Sequence, residues 1–181
     1  TSSSMAAVLG GDRDEVVSFL ESRGLFAANY NGSGQIVAAG STEGIAALIA
    51  EPMAGTRVVS LAVAGAFHTS FMEPAVAELA NFAAGLATSD PSMKLWTNKN
   101  GEIISSGSEY LQLLVNQVSN PVRWDLCMEA MVAAGVTGLI ELSPAGALTG
   151  MAKRGMPGVE TLALKTPDQL DAAIELAKNH G

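Results

Sequence analysis

A single cysteine, Cys127, among 181 residues excludes an internal disulfide and fits a reducing compartment. Basic residues are also scarce. Ten Lys and Arg stand against 18 Asp and Glu, a formal charge of -8, which argues against a surface built for nucleic-acid phosphates. An acidic carrier protein, if one is a partner, must be met by a local basic patch. No apolar run approaches membrane-spanning length, and the N-terminus lacks the basic-then-apolar order of a secretory signal. The expected setting is therefore cytoplasmic, without membrane or nucleic-acid partners. With aromatics at 5 % and charged residues at 15 %, the 48 % hydrophobic content is mostly aliphatic, enough to bury the core of one ordinary domain or two small ones.

The chemistry is spare when read from residue types. No serine lies in a G-x-S-x-G elbow, since Ser33 sits in Asn31-Gly32-Ser33-Gly34 and Ser41 follows Ala39-Gly40. The glycine-rich Gly32-Ser33-Gly34 precedes a strand-like run rather than a helix, so it fits neither a P-loop nor a dinucleotide fingerprint. Cys127, His68 and His180 lack metal-ligand spacing, and no metal or cofactor is expected. His180 belongs to a C-terminal tail expected to fray, and Cys127 to a helix face expected to be core. His68 stands out by position. It follows the strand-like residues 57–63 and precedes a helical pattern at Met72, Val76, Leu79, Ala83 and Leu86, at a junction where side chains commonly face a cleft.

In order, residues 5–9 read as a strand, and Asp12 with Glu15 at its third position as a helix start that Gly24 ends. Residues 25–31 and 35–39 read as strands joined by Gly32-Ser33-Gly34. Ser41 caps a helix ending before Pro52, and residues 57–63 form another strand. The order β-α-β-β-α-β is that of a ferredoxin-like split unit. Beyond His68 the expected elements are a long helix to the breaker at residues 88–91, short strands at 94–97 and 102–104, and a helix from Ser106 or Ser108. A second helix is expected to be capped by Asn120 with Pro121 at its first position and to bury Trp124, Met128 and Met131. Next come a strand at 137–142, a helix at 145–154, a strand at 159–164, and a last helix opened by Thr166-Pro167-Asp168-Gln169 with Leu170, Ile174 and Ala177 inward. Strands alternating with helices point to a parallel α/β layer, here with few strands.

Ala64-Gly65-Ala66-Phe67-His68-Thr69, with Phe71-Met72-Glu73-Pro74-Ala75, closely resembles the catalytic-histidine segment of malonyl-CoA:acyl carrier protein transacylases. Three more stretches resemble that family in the same order: residues 29–40 (NYNGSGQIVAAG), 117–124 (QVSNPVRW) and 141–150 (ELSPAGALTG) with Lys153-Arg154 behind it. The resemblance implies an α/β fold: a ferredoxin-like βαββαβ subdomain, residues 1–65, followed by the C-terminal part of an α/β-hydrolase-like acyltransferase domain, residues 66–181. It implies further that the family's oxyanion segment, its serine elbow and the arginine that pairs with the malonyl carboxylate belong to a part absent from this chain.

By the same resemblance the reaction is two-step acyl transfer from malonyl-CoA to acyl carrier protein, in fatty-acid or polyketide biosynthesis, with malonyl-CoA a substrate and no separate cofactor. His68 is then the base. Gln117 matches a glutamine whose backbone carbonyl orients the histidine, a role expected to tolerate side-chain change. Phe67 matches an aromatic position associated with malonyl over α-branched units, and Asn29 and Asn31 match asparagines near the cleft floor or serve the hairpin. The fourth stretch departs from the family at Ser143 and Ala145, where many members have glycine; a helix start there is expected to aim backbone N–H groups toward the cleft. A different class of reading is a catalytically silent module that keeps CoA or carrier-protein contacts. An α/β layer short of strands exposes apolar faces and a sheet edge, so self-association or a companion segment is expected.

Overall fold

The computed structural model describes residues 2–180. Its first unit is a four-stranded antiparallel sheet in the order β2-β3-β1-β4, from β1 (Ser3–Leu9), β2 (Phe26–Tyr30), β3 (Gln35–Ser41) and β4 (Arg57–Ser60). Helices α1 (Arg13–Ser22) and α2 (Thr42–Ala50) come after β1 and β3, giving the ferredoxin-like arrangement. Both start where capping residues stand. The Asp12 carboxylate accepts from the N–H groups of Asp14 and Glu15 (2.9 and 3.2 Å), and Ser41 Oγ from that of Gly44 (3.1 Å). Alternation along the strands divides the sheet's two faces. Ala6, Val8, Ile36 and Ala38 meet Val16, Leu20, Ile45 and Leu48 of the helices. Met5, Val37 and Ala39 point the other way, against Ala28, Ala66, Leu61 and Phe71, so the segment around His68 roofs the second face.

β4 is shorter than the run 57–63 suggests. Ala6 opposite Ser60 is the last pair; Leu61 donates to Met5 O (3.0 Å), and the chain then bends so that Ala66 N–H meets Ser3 Oγ (3.0 Å). After His68 a 3-10 turn, Ser70–Met72, leads into α3 (Glu73–Ala83), so the expected long helix is split and ends early. The expected strands at 94–97 and 102–104 reduce to one bridge, Trp96 to Ile103.

α4 (Gly107–Gln117), capped by Ser106, packs against α3. The next helix, α5 (Trp124–Ala133), does not begin at Pro121. Val122 instead lies along the outer edge of β2, donating to Ala28 O (2.9 Å) and accepting from Tyr30 N–H (2.8 Å). A helix starting at Pro121 forfeits both bonds, and the sheet edge outweighs the local Asn-Pro signal.

The second layer joins β5 (Gly138–Leu142) in parallel to β6 (Glu160–Leu164) through α6 (Ala147–Gly155). Met128, Ala152 and Met156 form its core, with Trp124, Met131 and Leu139 around them. Helix α7 (Leu170–His180) buries Ala173 and Leu176, while Leu170 and Ile174 stay 51 % and 44 % exposed, the reverse of the expected face. Its rotation is fixed by His180, on the same stripe as Ala173 and Leu176. The imidazole meets Thr137 Oγ1 through Nδ1 (2.9 Å) and Glu160 Oε2 through Nε2 (3.0 Å), so the tail is tied down rather than frayed.

The two units touch through Met128. Its Cε is 2.9 Å from where a Cβ on Gly32 would stand and 2.7 Å from one on Gly155, so glycines of the β2–β3 turn and of α6 pinch one thioether. Arg154 adds a hydrogen bond to Gln35 Oε1 (3.1 Å) across the same joint.

Candidate active site

His68 sits at a tight corner with φ of 63°, a left-handed backbone conformation rarely taken by a residue with a side chain. The corner is held on both sides. Ala66 is fully buried, Thr69 Oγ1 donates to Ala66 O (2.7 Å), and His68 N–H donates to Val118 O (3.0 Å). Strain that the surroundings hold in this way clusters at functional sites.

The imidazole Nδ1 lies 2.8 Å from Gln117 O at the end of α4. A carbonyl only accepts, so Nδ1 carries a proton, and in the neutral ring the lone pair lies on Nε2. The histidine borders an open cavity of about 440 Å³ shared with Phe26, Tyr30, Thr69, Ser119 and Pro121. Phe71 meets Phe26 edge-on (centroids 6.2 Å apart) and so ties the His68 corner to the start of β2.

Gln117 also works through its side chain. Nε2 donates to Asn120 O (2.8 Å) and Pro121 O (3.0 Å), closing the turn that carries the chain from α4 to β2. Past Val122, the Arg123 guanidinium pairs with both oxygens of the buried Asp125 (2.9 and 2.8 Å) and lies over the Tyr30 ring, 4.6 Å from its centroid. Residues 117–123 thus form a strap with the histidine at one end and the sheet edge at the other.

The remaining expected site residues are dispersed. Phe67 is next in chain, 37 % exposed, and outside the lining of the His68 cavity. Asn29 stands opposite Val37, on the sheet face roofed by the His68 segment, and also does not line that cavity. Asn31 lies farther along, beside the turn, its N–H donating to Gln35 O (3.0 Å).

In the fourth stretch three of the N–H groups at the start of α6 are already engaged within the fold. Glu141 on β5 takes them: its carboxylate accepts from Gly146 (2.9 Å), Leu148 (2.9 Å) and Thr149 (2.8 Å) at the start of α6. Burial pushes this carboxyl up, but the three N–H donors outweigh it and hold the pKa down at about 2. These three donors of the α6 start are therefore taken by an internal carboxylate. Cys127 is a core thiol, pushed up to about 11 by burial and then by Asp125, and donating to Thr97 O (3.3 Å).

Three contributors escaped the sequence reading: the Gln117 side chain, Glu141, and the Arg123–Asp125 pair. Glu141 had a signal, an acid inside the apolar run Leu139-Ile140-Glu141-Leu142 shortly before a helix start. Arg123-Trp124-Asp125 had only proximity, and the Gln117 clamp had none, because it depends on where α4 ends. Among the described residues no helix is long and apolar enough to cross a membrane.

No family model matches the chain. The malonyl CoA-acyl carrier protein transacylase of Mycobacterium tuberculosis is 46 % identical over 172 residues, 95 % of this chain and 57 % of the relative. The crystal structure of MCAT from Mycobacterium tuberculosis superposes with a TM-score of 0.90 at 46 % identity, covering 94 % of this chain and 56 % of that one. A type II PKS acyl-carrier protein in complex with its malonyl-transacylase gives a TM-score of 0.88 at 26 % identity, covering 98 % of this chain and 59 % of the other. The chain therefore spans somewhat over half the length of these relatives. Over that span, in sequence and in fold alike, it is similar to the C-terminal part of the malonyl CoA-acyl carrier protein transacylases.

Proposed function

We propose that this chain is the histidine-bearing part of an acyltransferase that moves a malonyl group from malonyl-CoA to the thiol of acyl carrier protein, with His68 as the base. The observation that carries the reading is the 2.8 Å contact from His68 Nδ1 to Gln117 O, which leaves Nε2 as the basic atom. The nucleophilic serine belongs to a segment outside this chain. As its Oγ attacks the thioester carbonyl, its proton passes to Nε2; the C–S bond breaks, and the CoA thiolate leaves with that proton. The carrier thiol then gives its proton to Nε2 as its sulfur attacks the malonyl-serine ester, and the serine alkoxide is reprotonated. Gln117 O holds the imidazole in one tautomer through both steps. Phe67, Asn29 and Asn31 are the proposed substrate contacts by family resemblance, Phe67 adjoining the base in the chain and none of the three lining the His68 cavity; Phe67→Ala is expected to raise the rate with an α-methyl malonyl thioester relative to malonyl-CoA.

A silent binding module remains the reading for the chain by itself, because no group among the described residues hydrogen-bonds His68 Nε2. Intact-mass spectrometry after incubation with malonyl-CoA separates the two, using this chain alone and a version extended N-terminally to carry a serine elbow. A malonyl adduct on the extended version only, formed about 10²- to 10⁴-fold more slowly with His68→Ala, is the expected result. An adduct on the chain alone would place the nucleophile within it, and none on either would leave the binding module.

A further inference from the structure

We infer that the side-chain amide of Gln117 is a positioning residue for His68, and that its two hydrogen bonds to the Asn120 and Pro121 carbonyls set the direction of the carbonyl that the imidazole reads. Gln117 is the last residue of α4, where the final carbonyls of a helix have no intrahelical partner and their direction depends on the path of the residues beyond it. That path is tightly constrained. The chain turns at Val118 and Ser119 and must reach the β2 edge at Val122, whose N–H and C=O are both committed to the sheet.

Between these fixed points, two neighbouring carbonyls, of Asn120 and Pro121, converge on the single Nε2 of Gln117 at 2.8 and 3.0 Å. An NH2 group has two protons, so it serves both, and no oxygen-terminated side chain of the same shape does. The segment so closed offers His68 two contacts: Gln117 O to Nδ1 (2.8 Å) and Val118 O to the backbone N–H (3.0 Å). The same residue therefore supplies the carbonyl through its main chain and fixes that carbonyl's direction through its side chain. This differs from a main-chain role indifferent to the side chain. Asn120 supplies a comparison on the same turn: its Nδ2 donates to Asn116 O (2.7 Å), closing the helix end without touching the carbonyls that the clamp holds.

The test begins on the intact chain without substrate, so it stands whether or not the acyl-transfer reading does. Nitrogen-15 NMR of the His68 ring reads its tautomer, and the side-chain amide protons of Gln117 report the clamp. In the unsubstituted protein we expect a ring protonated at Nδ1 and slowly exchanging Gln117 amide protons. Gln117→Met keeps the length and removes the donors; it is expected to release the ring to mixed tautomers and speed exchange of the His68 backbone N–H by about tenfold. Gln117→Met with an unaltered His68 ring would overturn the inference. If Gln117→Met does not fold, the unsubstituted chain decides: Gln117 amide protons exchanging at the rate of a free amide would overturn it equally. In the extended transferase, Gln117→Met should lower kcat and spare the KM for malonyl-CoA. Absence of transfer in the parent enzyme counts against the acyl-transfer reading alone.

Discussion

At the scale of the residue, His68 is held in a conformation that its own side chain disfavours. A φ of 63° at a non-glycine residue costs on the order of 1 to 3 kcal/mol, offset here by the bonds to Val118 and Gln117. The usual ranking of substitutions reverses at such a site. His68→Ala keeps the strain and loses the imidazole bond, whereas His68→Gly loses the bond and relieves the strain. His68→Gly is expected to be the more stable of the two by about 1 kcal/mol in urea unfolding. The place of His68 between a strand and a helix was legible from its neighbours, but its backbone conformation was not. Nothing in Ala66-Phe67-His68-Thr69 marks a left-handed residue, and the corner exists because β4 ends at Ser60 and the chain must turn back beneath Ser3.

At the scale of the element, caps and alternation made the first unit readable, and errors arose where two local signals competed with a tertiary partner. Asn120-Pro121 has the form of a helix start, yet the exposed edge of β2 claimed Val122. Helix α7 carries two apolar stripes, and the one with fewer large residues is buried because His180 is anchored on it. Glu141 shows the reverse case, a charge inside a strand that serves as the cap of the next helix. Its carboxyl has an ordinary value of 4.5 and is held at about 2 in the fold. The depressed folded value means that its contribution is complete above the unfolded value and is lost as pH falls from about 4.5 through 2. Glu141→Gln is expected to cost about 2 kcal/mol near neutrality, and the gap from the parent should close progressively below pH 4.5 when unfolding is followed in urea.

At the scale of the whole molecule, one joint between the sheet and the β5–β6 layer closes on a flexible side chain, Met128. A methyl group on Gly155 would stand 2.7 Å from Met128 Cε and 2.8 Å from its sulfur, so the thioether must shift to admit it. Gly155→Ala is expected to destabilise by about 1 to 3 kcal/mol, and the double variant with Met128→Ala by less than the sum of the two, as read in a double-mutant cycle. The surface carries apolar groups that the fold leaves uncovered, among them Phe82 at 70 %, Met93 at 82 % and Leu142 at 70 % exposure. With β5 and β6 forming a sheet of only two strands, concentration-dependent association is expected in sedimentation velocity; a sharp monomer across a wide concentration range would count against it.

The strap of residues 117–123 also limits how such a protein can be recombined. By sequence order it belongs to the second unit, yet Val122 completes the outer edge of β2 and Arg123 packs on Tyr30. A chimera that takes its βαββαβ unit from one of the relatives, with a crossover just before His68, pairs a foreign edge with a native strap. Any mismatch there reaches the histidine through Gln117, at a position far from the crossover in sequence. Grafts that carry the strap together with the sheet preserve the pairing, and two crossovers rather than one mark the exchangeable part of this molecule.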